Sequence, residues 1–584
     1  MKFQEVVNVL QAIEELTSRN QIMELLAALF HKATPEQAQM ITYLSLGQVR
    51  PTYLGNQFNI AEKTIKKVIQ EIVDLPLEEF TVGVKQKGDL GSFLASFSAK
   101  AQQEDLSLKE VFQQLIELQT ISGEGSQEER AKFLKALLRI LTPAEGGFVI
   151  RIILGKLRTG FSDMTMIDAF SWMLVGNKSL RKDIEHAYNV CADLGLIAAT
   201  LKKNGAQGLS DIHITVGIPI LPSLAERLPT AAEIIEKLGH CAAQPKLDGF
   251  RLQIHVKNNQ VWFYSRNLIN MTSMFPELTQ AAQQLKVQDA IFEGEAIVFD
   301  ESTGAFLPFQ QTVKRKRKHG IETMAQEFPL KLFVFDLLYL NGESMLNKGH
   351  EARRKVALSF ITADHYETIS LIDEREVTTT EQLEDYFLEC MHEGLEGLVV
   401  KKMNAHYQPG KRNFNWIKLK RTQESGTLID TIDAVVLGYY VGRGRRAAFG
   451  IGAFLVGVYD KKNDRYETIA KVGTGLSDQG FKDIKKLCDD YTVDHKPFNV
   501  VCAKELYPDV WVEPHLIWVV IADEITRSPL HTAGKTEHEQ GYALRFPRAI
   551  EQRFDKSPDQ ATTVDEIKHM FNNSYLKKAE AKNK

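Results

Sequence analysis

The sequence predicts a multidomain protein with an all-α domain over residues 1–208, an α+β domain over 215–421 and an all-β domain over 422–576. A polar tail is expected at 577–584. Three observations support this prediction. The chain has 584 residues, which suits roughly three to four domains. Apolar residues follow helical spacing in the first part, whereas short β-rich segments between Gly-rich turns dominate the last part.

The all-α domain is predicted from apolar residues at helical spacing. Leu25, Leu26, Leu29 and Phe30 fall on one face, and residues 133–141 repeat this pattern. The predicted turns between helices contain Gly, at residues 46–48, 123–125 and 154–160.

The α+β domain follows a predicted linker at residues 218–222. Arg251–Val256 and Gln260–Tyr264 flank Lys257-Asn258-Asn259, which predicts a hairpin. Further strands are predicted at Ala290–Phe299, Lys331–Leu338 and Gly397–Lys401.

The all-β domain is predicted from short strands separated by Gly-rich turns such as residues 441–446. This texture is typical of a small barrel. The strands are predicted at Asp433–Tyr440, Gly452–Tyr459, Thr468–Val472 and Trp518–Ile525.

Composition limits the classes of protein that this chain can belong to. The net charge of -4 argues against a uniformly basic DNA-coating protein, although a local binding surface remains compatible with it. The five cysteines form no C-x-x-C pair, which excludes a four-Cys zinc module and favours a reducing compartment, cytoplasmic in a prokaryote or nuclear in a eukaryote. We expect no signal peptide and no contact with a membrane, because the N-terminus lacks a basic, then apolar, leader and no apolar run is long enough to span a bilayer.

Lys246 is the first candidate catalytic residue, in the string Lys246-Leu247-Asp248-Gly249-Phe250-Arg251. A lysine attacks phosphorus only when its amine is neutral, and near an ordinary pKa of ~10.4 about 0.04% is neutral at pH 7. This deficit is roughly 4.6 kcal/mol, which neighbouring cations and a bound metal would reduce. The glycine allows a tight turn beside a phosphate. The string alone is equally compatible with a surface lysine in an Asp-Gly hairpin turn.

Five further segments follow Lys246 in an order that favours a catalytic interpretation. They carry a basic turn, two carboxylates near or within strands, aromatic faces and two amines on one strand face. The segments are Tyr264–Asn267, Phe292–Val298, Lys331–Asp336, Glu393–Lys401 and Trp416–Lys420.

This ordered set resembles the covalent nucleotidyltransferases, which include ATP-dependent DNA ligases, RNA ligases and mRNA capping enzymes. The whole chain resembles the replicative ATP-dependent DNA ligases of archaeal and eukaryotic type. The resemblance runs from about residue 20 to the C-terminal barrel and includes Leu544–Arg548 and Arg553–Lys556. It implies that the barrel is an OB-fold and that the chain seals nicks in duplex DNA with ATP.

The resemblance also implies residue roles. Lys246 is expected to form lysyl-AMP, with Arg251 and Glu295 at the ribose and Phe335 stacked on adenine. Metal binding is expected at Glu295 and Glu396, which suit Mg²⁺ and would also accept Mn²⁺. The phosphate-binding cations are expected to be Arg266, Arg412, Lys418 and Lys420, with Arg548 and Lys556 of the barrel contacting the pyrophosphate.

Each of these residues has an ordinary structural alternative. Phe335 suits a protein core, Lys418 and Lys420 suit a solvated strand face, and Glu396 suits a turn. Taken singly, the structural interpretation is favoured for Phe335 and Glu396. The ordered set favours function for all of them.

Two positions depart from the pattern of the family that the chain resembles. Gln244 stands where a glutamate usually accepts a hydrogen bond from the adenine amino group. Its amide oxygen can still accept, but its NH₂ can also turn toward guanine, so looser base selectivity is expected. Glu551 stands where a basic residue is usual, which is expected to weaken contacts to pyrophosphate.

Nicked double-stranded DNA is the expected partner, and the chain is expected to act as a monomer. The resemblance implies Gly-rich turns at the minor groove with Arg50, Lys156 and Arg158 nearby. The basic run Lys314-Arg315-Lys316-Arg317-Lys318 is expected to face DNA, with a solvated hairpin or a localisation signal as the alternative. Binding of a sliding clamp is not supported, because residues 101–108 lack the aromatic pair of a clamp peptide.

Four other functions compete with ATP-dependent DNA ligation. RNA ligases and capping enzymes are disfavoured by the long helical domain ahead of Lys246. NAD⁺-dependent ligases are disfavoured by the missing Cys-rich module. A catalytically silent DNA-binding scaffold is disfavoured because Lys246, Glu295, Glu396, Lys418 and Lys420 are all present together.

Overall fold

The computed structural model describes the chain except residues 17, 56, 99–103, 156, 158–161, 229, 301–304, 308–311, 313–314, 316–319, 362–367, 394, 421–430, 443–449, 555 and 581–584. The chain divides into two compact units. One comprises Met1–Arg227, Ile234–Leu383 and Leu398–Lys418, and the other comprises Leu228–Glu233, Glu384–Gly397 and Leu419–Lys584.

The N-terminal part is helical, as the sequence predicts. Several helices begin at capping boxes, as at Thr34, Ser107 and Thr142, where a side-chain oxygen satisfies a free N–H of the first turn. Leu26, Leu29 and Phe30 are buried. The helices are α1 Phe3–Glu14, α2 Arg19–Lys32, α3 Pro35–Ser45, α4 Glu62–Val73, α5 Leu77–Lys87, α6 Leu90–Ala95, α7 Leu108–Thr120, α8 Ser126–Ile140, α9 Pro143–Leu154, α10 Asp163–Val175, α11 Arg181–Val190 and α12 Leu194–Asn204.

The middle part is α+β, which confirms the predicted class. Its strands are β1 Leu224–Arg227, β2 Cys241–Pro245, β3 Phe250–Lys257, β4 Gln260–Ser265, β5 Asp289–Asp300, β6 Ala305–Phe306, β7 Leu330–Leu340, β8 Glu343–Ser344, β9 Ile369–Leu371, β10 Arg375–Val377, β11 Gly397–Lys402 and β12 Arg412–Lys420. Its helices are α13 Ala231–Leu238, α14 Pro276–Gln283, α15 Ile321–Glu327, α16 His350–Leu358 and α17 Thr380–His392.

These strands form two sheets. One has the order β1-β12-β11-β2-β10, and the other has β4-β3-β5-β7-β8 with β6 on β5 and β9 on β7. Strand β2 belongs to the first sheet and β3 to the second, so residues 246–249 connect the two sheets. The predicted hairpin is confirmed: β3 and β4 pair around Asn258 and Asn259, whose φ angles of 47° and 67° suit a type I′ turn.

The C-terminal part is a curled, OB-like half-barrel, which confirms the predicted all-β class. Its curvature accompanies irregular register in β13 between Val436 and Gly438, where a bulge bends the strand. The strands are β13 Ile432–Tyr440, β14 Ala453–Asp460, β15 Arg465–Val472, β16 Thr492–Val493, β17 Val500–Val501, β18 Val510–Val512, β19 Ile517–Ile521, β20 Glu524–Ser528, β21 Gly541–Arg545 and β22 Arg548–Arg553, with helices α18 Asp478–Asp489 and α19 Val564–Glu580.

Two details of this part differ from the sequence prediction. The strand predicted over Trp518–Ile525 is two strands, because β19 pairs with β13 and β22 whereas β20 pairs with β21. Asp523 lies between them, where its N–H donates to Arg545 O at 3.0 Å. Helix α19 continues through Glu580, into the segment predicted as a polar tail, and residues 581–584 lie outside the described part.

Candidate active site

Lys246 lies on the connection between the two sheets. The strand before it is buried through Gln244, and Lys246 is half-buried. Gly249 closes the connection against β5: a Cβ at this position would lie 2.4 Å from the Ala296 carbonyl oxygen. The glycine is therefore needed for a close backbone approach, in addition to any room that it leaves for a phosphate.

Arg251 is held in place by a carboxylate that the sequence analysis did not assign. Its Nη2 donates to Glu293 Oε2 at 2.9 Å and Oε1 at 3.1 Å, and its Nη1 donates to Ser223 O at 2.9 Å. Tyr407 Oη also donates to Glu293 Oε2, at 2.8 Å. The available signal was the two-residue spacing of Glu293 and Glu295, which places both carboxylates on one sheet face.

Glu295 lies opposite Arg251 in the β3–β5 pairing. It accepts a hydrogen bond from Gly249 N at 3.1 Å, which ties its carboxylate to the connection that carries Lys246. Burial raises the pKa of Glu295 to about 7, although the positive charges of Lys246 and Arg251 act to lower it. A cation near this carboxylate would further favour its ionised form.

Phe335 is half-buried on β7 and packs against a buried cluster that includes Tyr407 and Trp416. Its ring lies 6.0 Å from the Trp416 ring in an edge arrangement. Two cations lie near its ring centroid, Lys401 Nζ at 5.1 Å and Arg251 Cζ at 5.4 Å. The ring therefore lies close to Arg251.

Gln244 is almost fully buried on β2, with 1% of its surface exposed. Its Nε2 donates to Glu374 Oε2 at 2.6 Å and makes a longer contact of 3.4 Å with Phe335 O. The amide NH₂ is thus engaged by the protein, whereas the sequence left it free to turn toward a base. Looser base selectivity stays a prediction, and it would require the amide to leave this contact with Glu374.

A buried polar network behind Gln244 was missed by the sequence analysis. Arg353 donates to both carboxylate oxygens of Asp336, at 2.7 and 3.1 Å, and Lys401 Nζ donates to Phe335 O at 2.6 Å. Burial lowers the pKa of Lys401 to about 8, against the opposing charges of Asp336 and Glu374. No spacing in the sequence relates these residues, which come from different strands and helices.

The predicted phosphate-binding cations of the first unit lie on two strands or their ends. Arg266 is exposed directly after β4, and Arg412 is exposed at the start of β12. Lys418 is half-buried opposite Arg227 of β1. Buried Ile417 and Leu419 alternate with Lys418 and Lys420, so the two lysines share a strand face, as the spacing predicts.

Glu396 and Lys420 form an ion pair in the second unit, with Nζ and Oε2 2.9 Å apart. Gly397 follows Glu396 with φ 133°, and a Cβ there would lie 2.2 Å from Leu419 O. Among the described residues, no group of three or more His, Cys, Asp or Glu side chains could hold a metal ion. A metal would therefore need additional ligands, such as water and substrate phosphates.

The predicted barrel cations are also paired with carboxylates. Arg548 donates to Asp523 Oδ1 at 2.7 Å, and Lys556 Nζ donates to Asp433 Oδ2 at 2.6 Å. Phe546, in the turn before β22, has a φ of 52° and is 58% exposed. Glu551 is exposed on β22.

The predicted DNA-facing turns of the helical domain lie close to each other. A Cβ on Gly47 would lie 3.6 Å from the Leu157 side chain and 3.8 Å from Gly155 Cα. Arg50 follows the first turn and is half-buried. Lys156 and Arg158 lie outside the described residues, as do residues 101–103 of the segment considered for clamp binding.

The structure contradicts an outward-facing role for Arg315. Its side chain is buried and pairs with Glu277, while its Nη1 makes a longer contact of 3.3 Å with Ile321 O. A guanidinium that is removed from water in this way is a structural ion pair and is unavailable to DNA phosphates. Lys314 and Lys316 lie outside the described residues.

No helix in the described part of the chain is long and apolar enough to cross a membrane.

Three family models match the chain. Residues 2–171 match "DNA ligase N terminus", residues 222–420 match "ATP dependent DNA ligase domain", and residues 447–556 match "ATP dependent DNA ligase C terminal region".

Curated relatives match nearly the whole chain. The chain is 45% identical to a probable DNA ligase of Dictyoglomus thermophilum, covering 99% of both chains. It is 38% identical to a DNA ligase of Pyrobaculum islandicum, covering 98% of both. It is 35% identical to DNA ligase 1 of Methanosarcina acetivorans, covering 98% of this chain and 99% of the relative.

A solved structure, Pmar-Lig_PreS3, is similar in fold, with a TM-score of 0.56 at 17% identity. The match covers 94% of this chain and 99% of that one.

Proposed function

The chain belongs to the family of ATP-dependent DNA ligases, which seal nicks in DNA, and from that premise we propose which of its residues carry out each part of the reaction. Lys246 is the proposed nucleophile. The observation that carries this proposal is its place on the connection between two sheets, beside a carboxylate and a guanidinium that are both held by named partners.

The reaction proceeds in three transfers. The neutral amine of Lys246 attacks the α-phosphorus of ATP, a P–N bond forms, and the bond to pyrophosphate breaks. The lysyl-AMP then passes its AMP to the 5′-phosphate of the nick, which regenerates the amine. Finally the 3′-hydroxyl attacks that activated phosphate, AMP leaves, and the phosphodiester bond is complete.

The nucleoside is proposed to bind along Gln244, Phe335, Arg251 and Glu295. Phe335 offers a half-buried ring for stacking on adenine, and Glu295 offers an acceptor to a ribose hydroxyl. Arg251 has its terminal nitrogens on Glu293 and Ser223, so only its remaining donor atoms serve the ribose directly. Arg251 also holds Glu293 in place and adds positive charge to the site.

The phosphates are proposed to bind Arg266, Arg412, Lys418 and Lys420, where negative charge builds during displacement. Arg548 and Lys556 are the proposed pyrophosphate contacts, and each now donates one hydrogen bond to a carboxylate. The oxygen ligands Glu295 and Glu396 fit Mg²⁺ or Mn²⁺ in chemical type. A divalent ion bound at either side chain would neutralise phosphate charge.

Nicked duplex DNA is proposed to contact the adjoining turns at Gly47 and Gly155, with Arg50 nearby. The relatives reported above are prokaryotic, which supports action in the cytoplasm. We expect the chain to act as a monomer on DNA.

The test is covalent labelling. Wild-type protein incubated with ATP and Mg²⁺ should gain one AMP by mass spectrometry, and Lys246→Ala and Lys246→Arg should gain none. Arginine keeps the charge but cannot be deprotonated in a protein, so it cannot be the nucleophile.

Lys257→Arg is the matched control, because Lys257 is exposed at the far end of β3. It should label like wild type. Both Lys246 variants should still bind a nicked duplex. Labelling of either Lys246 variant would place the nucleophile elsewhere, and sealing of nicked RNA in preference to DNA would contradict the proposed substrate.

A further inference from the structure

Gln244 has its two amide atoms in different surroundings. The Nε2 donates to Glu374 at 2.6 Å across 130 residues of sequence, with Phe335 O as a second, longer contact. No described residue donates a hydrogen bond to its Oε1.

Glu374 is held in its ionised form by two neighbours. His350 Nε2 lies 2.7 Å from Glu374 Oε2, and Arg354 Nε lies 3.1 Å from Oε1. Burial acts to raise the pKa of Glu374, but the hydrogen bond from His350 and the charge of Arg354 outweigh it, and the pKa is lowered. An ionised carboxylate only accepts hydrogen bonds, so it can face the NH₂ of Gln244 and not its oxygen.

We propose that Glu374 is a positioning residue that fixes the Gln244 amide with its oxygen toward the nucleotide base, and thereby makes the site select ATP over GTP. This inference rests on the proposed function, in which Gln244 lies at the base. Adenine presents an amino donor where guanine presents a carbonyl acceptor. A fixed acceptor on the protein pairs with the first and opposes the second.

The same contact determines how a glutamate at position 244 would behave. A glutamate at position 244 would offer a better acceptor to adenine if it stood alone. Here its carboxylate would face the carboxylate of Glu374 at hydrogen-bond distance, where two like charges cannot both be accommodated without cost. Glutamine at position 244 therefore suits Glu374, because its NH₂ can donate a hydrogen bond to that carboxylate.

The experiment compares lysine labelling by radiolabelled ATP and GTP in four proteins. Wild type should label strongly with ATP and weakly with GTP. Glu374→Gln frees the Gln244 amide to rotate, so the ratio of ATP to GTP labelling should fall about tenfold. Gln244→Glu should lower ATP labelling by about tenfold, because the two carboxylates repel.

The double variant Gln244→Glu with Glu374→Gln exchanges donor and acceptor and should restore ATP labelling and selectivity to near the wild-type level. Glu376→Gln is the matched control: it removes an exposed carboxylate that lies on β10, two residues after Glu374, and pairs with His240. It should leave both labelling rates unchanged. Thermal melting of each protein reports whether a variant remains folded.

An unchanged ratio in Glu374→Gln, or a double variant no better than Gln244→Glu, would overturn the inference. A wild-type protein that fails to label with ATP would instead overturn the proposed nucleophile. The two failures are therefore distinguishable, since the inference is judged only on ratios among proteins that form lysyl-AMP.

Discussion

Glu295 shows how one partly buried carboxylate makes the stability of the protein depend on pH. Its carboxylate lies opposite Arg251 and accepts from Gly249, yet burial raises its pKa from 4.5 to about 7. Because the folded pKa exceeds the unfolded one, the stabilisation from the protonated form is complete below about pH 4.5. It is lost as the pH rises toward 7.

Glu295→Gln should remove this pH dependence. Wild type is expected to lose on the order of 3 kcal/mol of unfolding free energy relative to the variant between pH 4.5 and 8, at ~1.4 kcal/mol per pKa unit. The measurement is the thermal midpoint of both proteins across this range without nucleotide. If the thermal midpoints of the two proteins changed with pH in parallel, the pKa of Glu295 would not be raised in the folded protein.

The position of Lys246 depends on how closely its connection approaches the neighbouring strand β5. The connection at residues 246–249 passes against β5 only because residue 249 lacks a side chain, since a Cβ would lie 2.4 Å from Ala296 O. The carboxylate of Glu295 reaches the same connection. Strand β5 thus fixes both the carboxylate and the path of the lysine loop.

Gly249→Ala should therefore displace the loop and reduce lysyl-AMP formation by ~100-fold, as misplacement by about 1 Å can do. Gly239→Ala is the control: its φ of 63° makes an alanine strained, but the position has open space around it. Single-turnover labelling of both variants provides the measurement. Equal losses in the two would mean that strain, and not the β5 contact, governs the rate.

The Arg315–Glu277 ion pair also connects two parts of the fold, because it ties the segment after β6 to helix α14. Arg315→Met should leave the half-buried carboxylate of Glu277 without its partner and destabilise the protein by about 1–3 kcal/mol. It should leave the salt dependence of DNA binding unchanged. Arg50→Ala is the comparison, and it should reduce the salt slope by ~1 without a comparable loss of stability.

Chemical denaturation and fluorescence anisotropy on a nicked duplex would separate these effects. A reduced salt slope in Arg315→Met with unchanged stability would restore the original expectation that this residue contacts phosphate.

At the scale of the whole molecule, the charge of -4 means that DNA must be held by local groups and not by a uniformly basic surface. Contacts to phosphate carry no sequence information. The logarithm of the binding constant for a nicked duplex should therefore fall linearly with the logarithm of salt concentration and hardly change with flanking sequence. Anisotropy titrations of several duplexes at fixed salt provide the test, and a strong preference among them would contradict phosphate-based binding.

Much of the fold followed from local patterns. Helical spacing predicted the N-terminal domain, and Asn258-Asn259 between two alternating segments predicted the β3–β4 hairpin. The prediction of a single strand over Trp518–Ile525 was wrong, because the two halves of this segment pair with different strands and local propensity does not show this. The polar residues at 577–580 are helical for a similar reason, since they extend a helix anchored by buried Ile567.

The sequence by itself determined the family, the candidate nucleophile Lys246 and the classes of residue around it, because each segment carries its chemistry within a few neighbouring positions. Only the tertiary structure decided which groups are free to act. Glu293 reaches Arg251 across 42 residues and Glu374 reaches Gln244 across 130, while Arg315 is buried against Glu277. Long-range contacts of this kind depend on how strands pair and sheets pack, and local spacing carries no record of them.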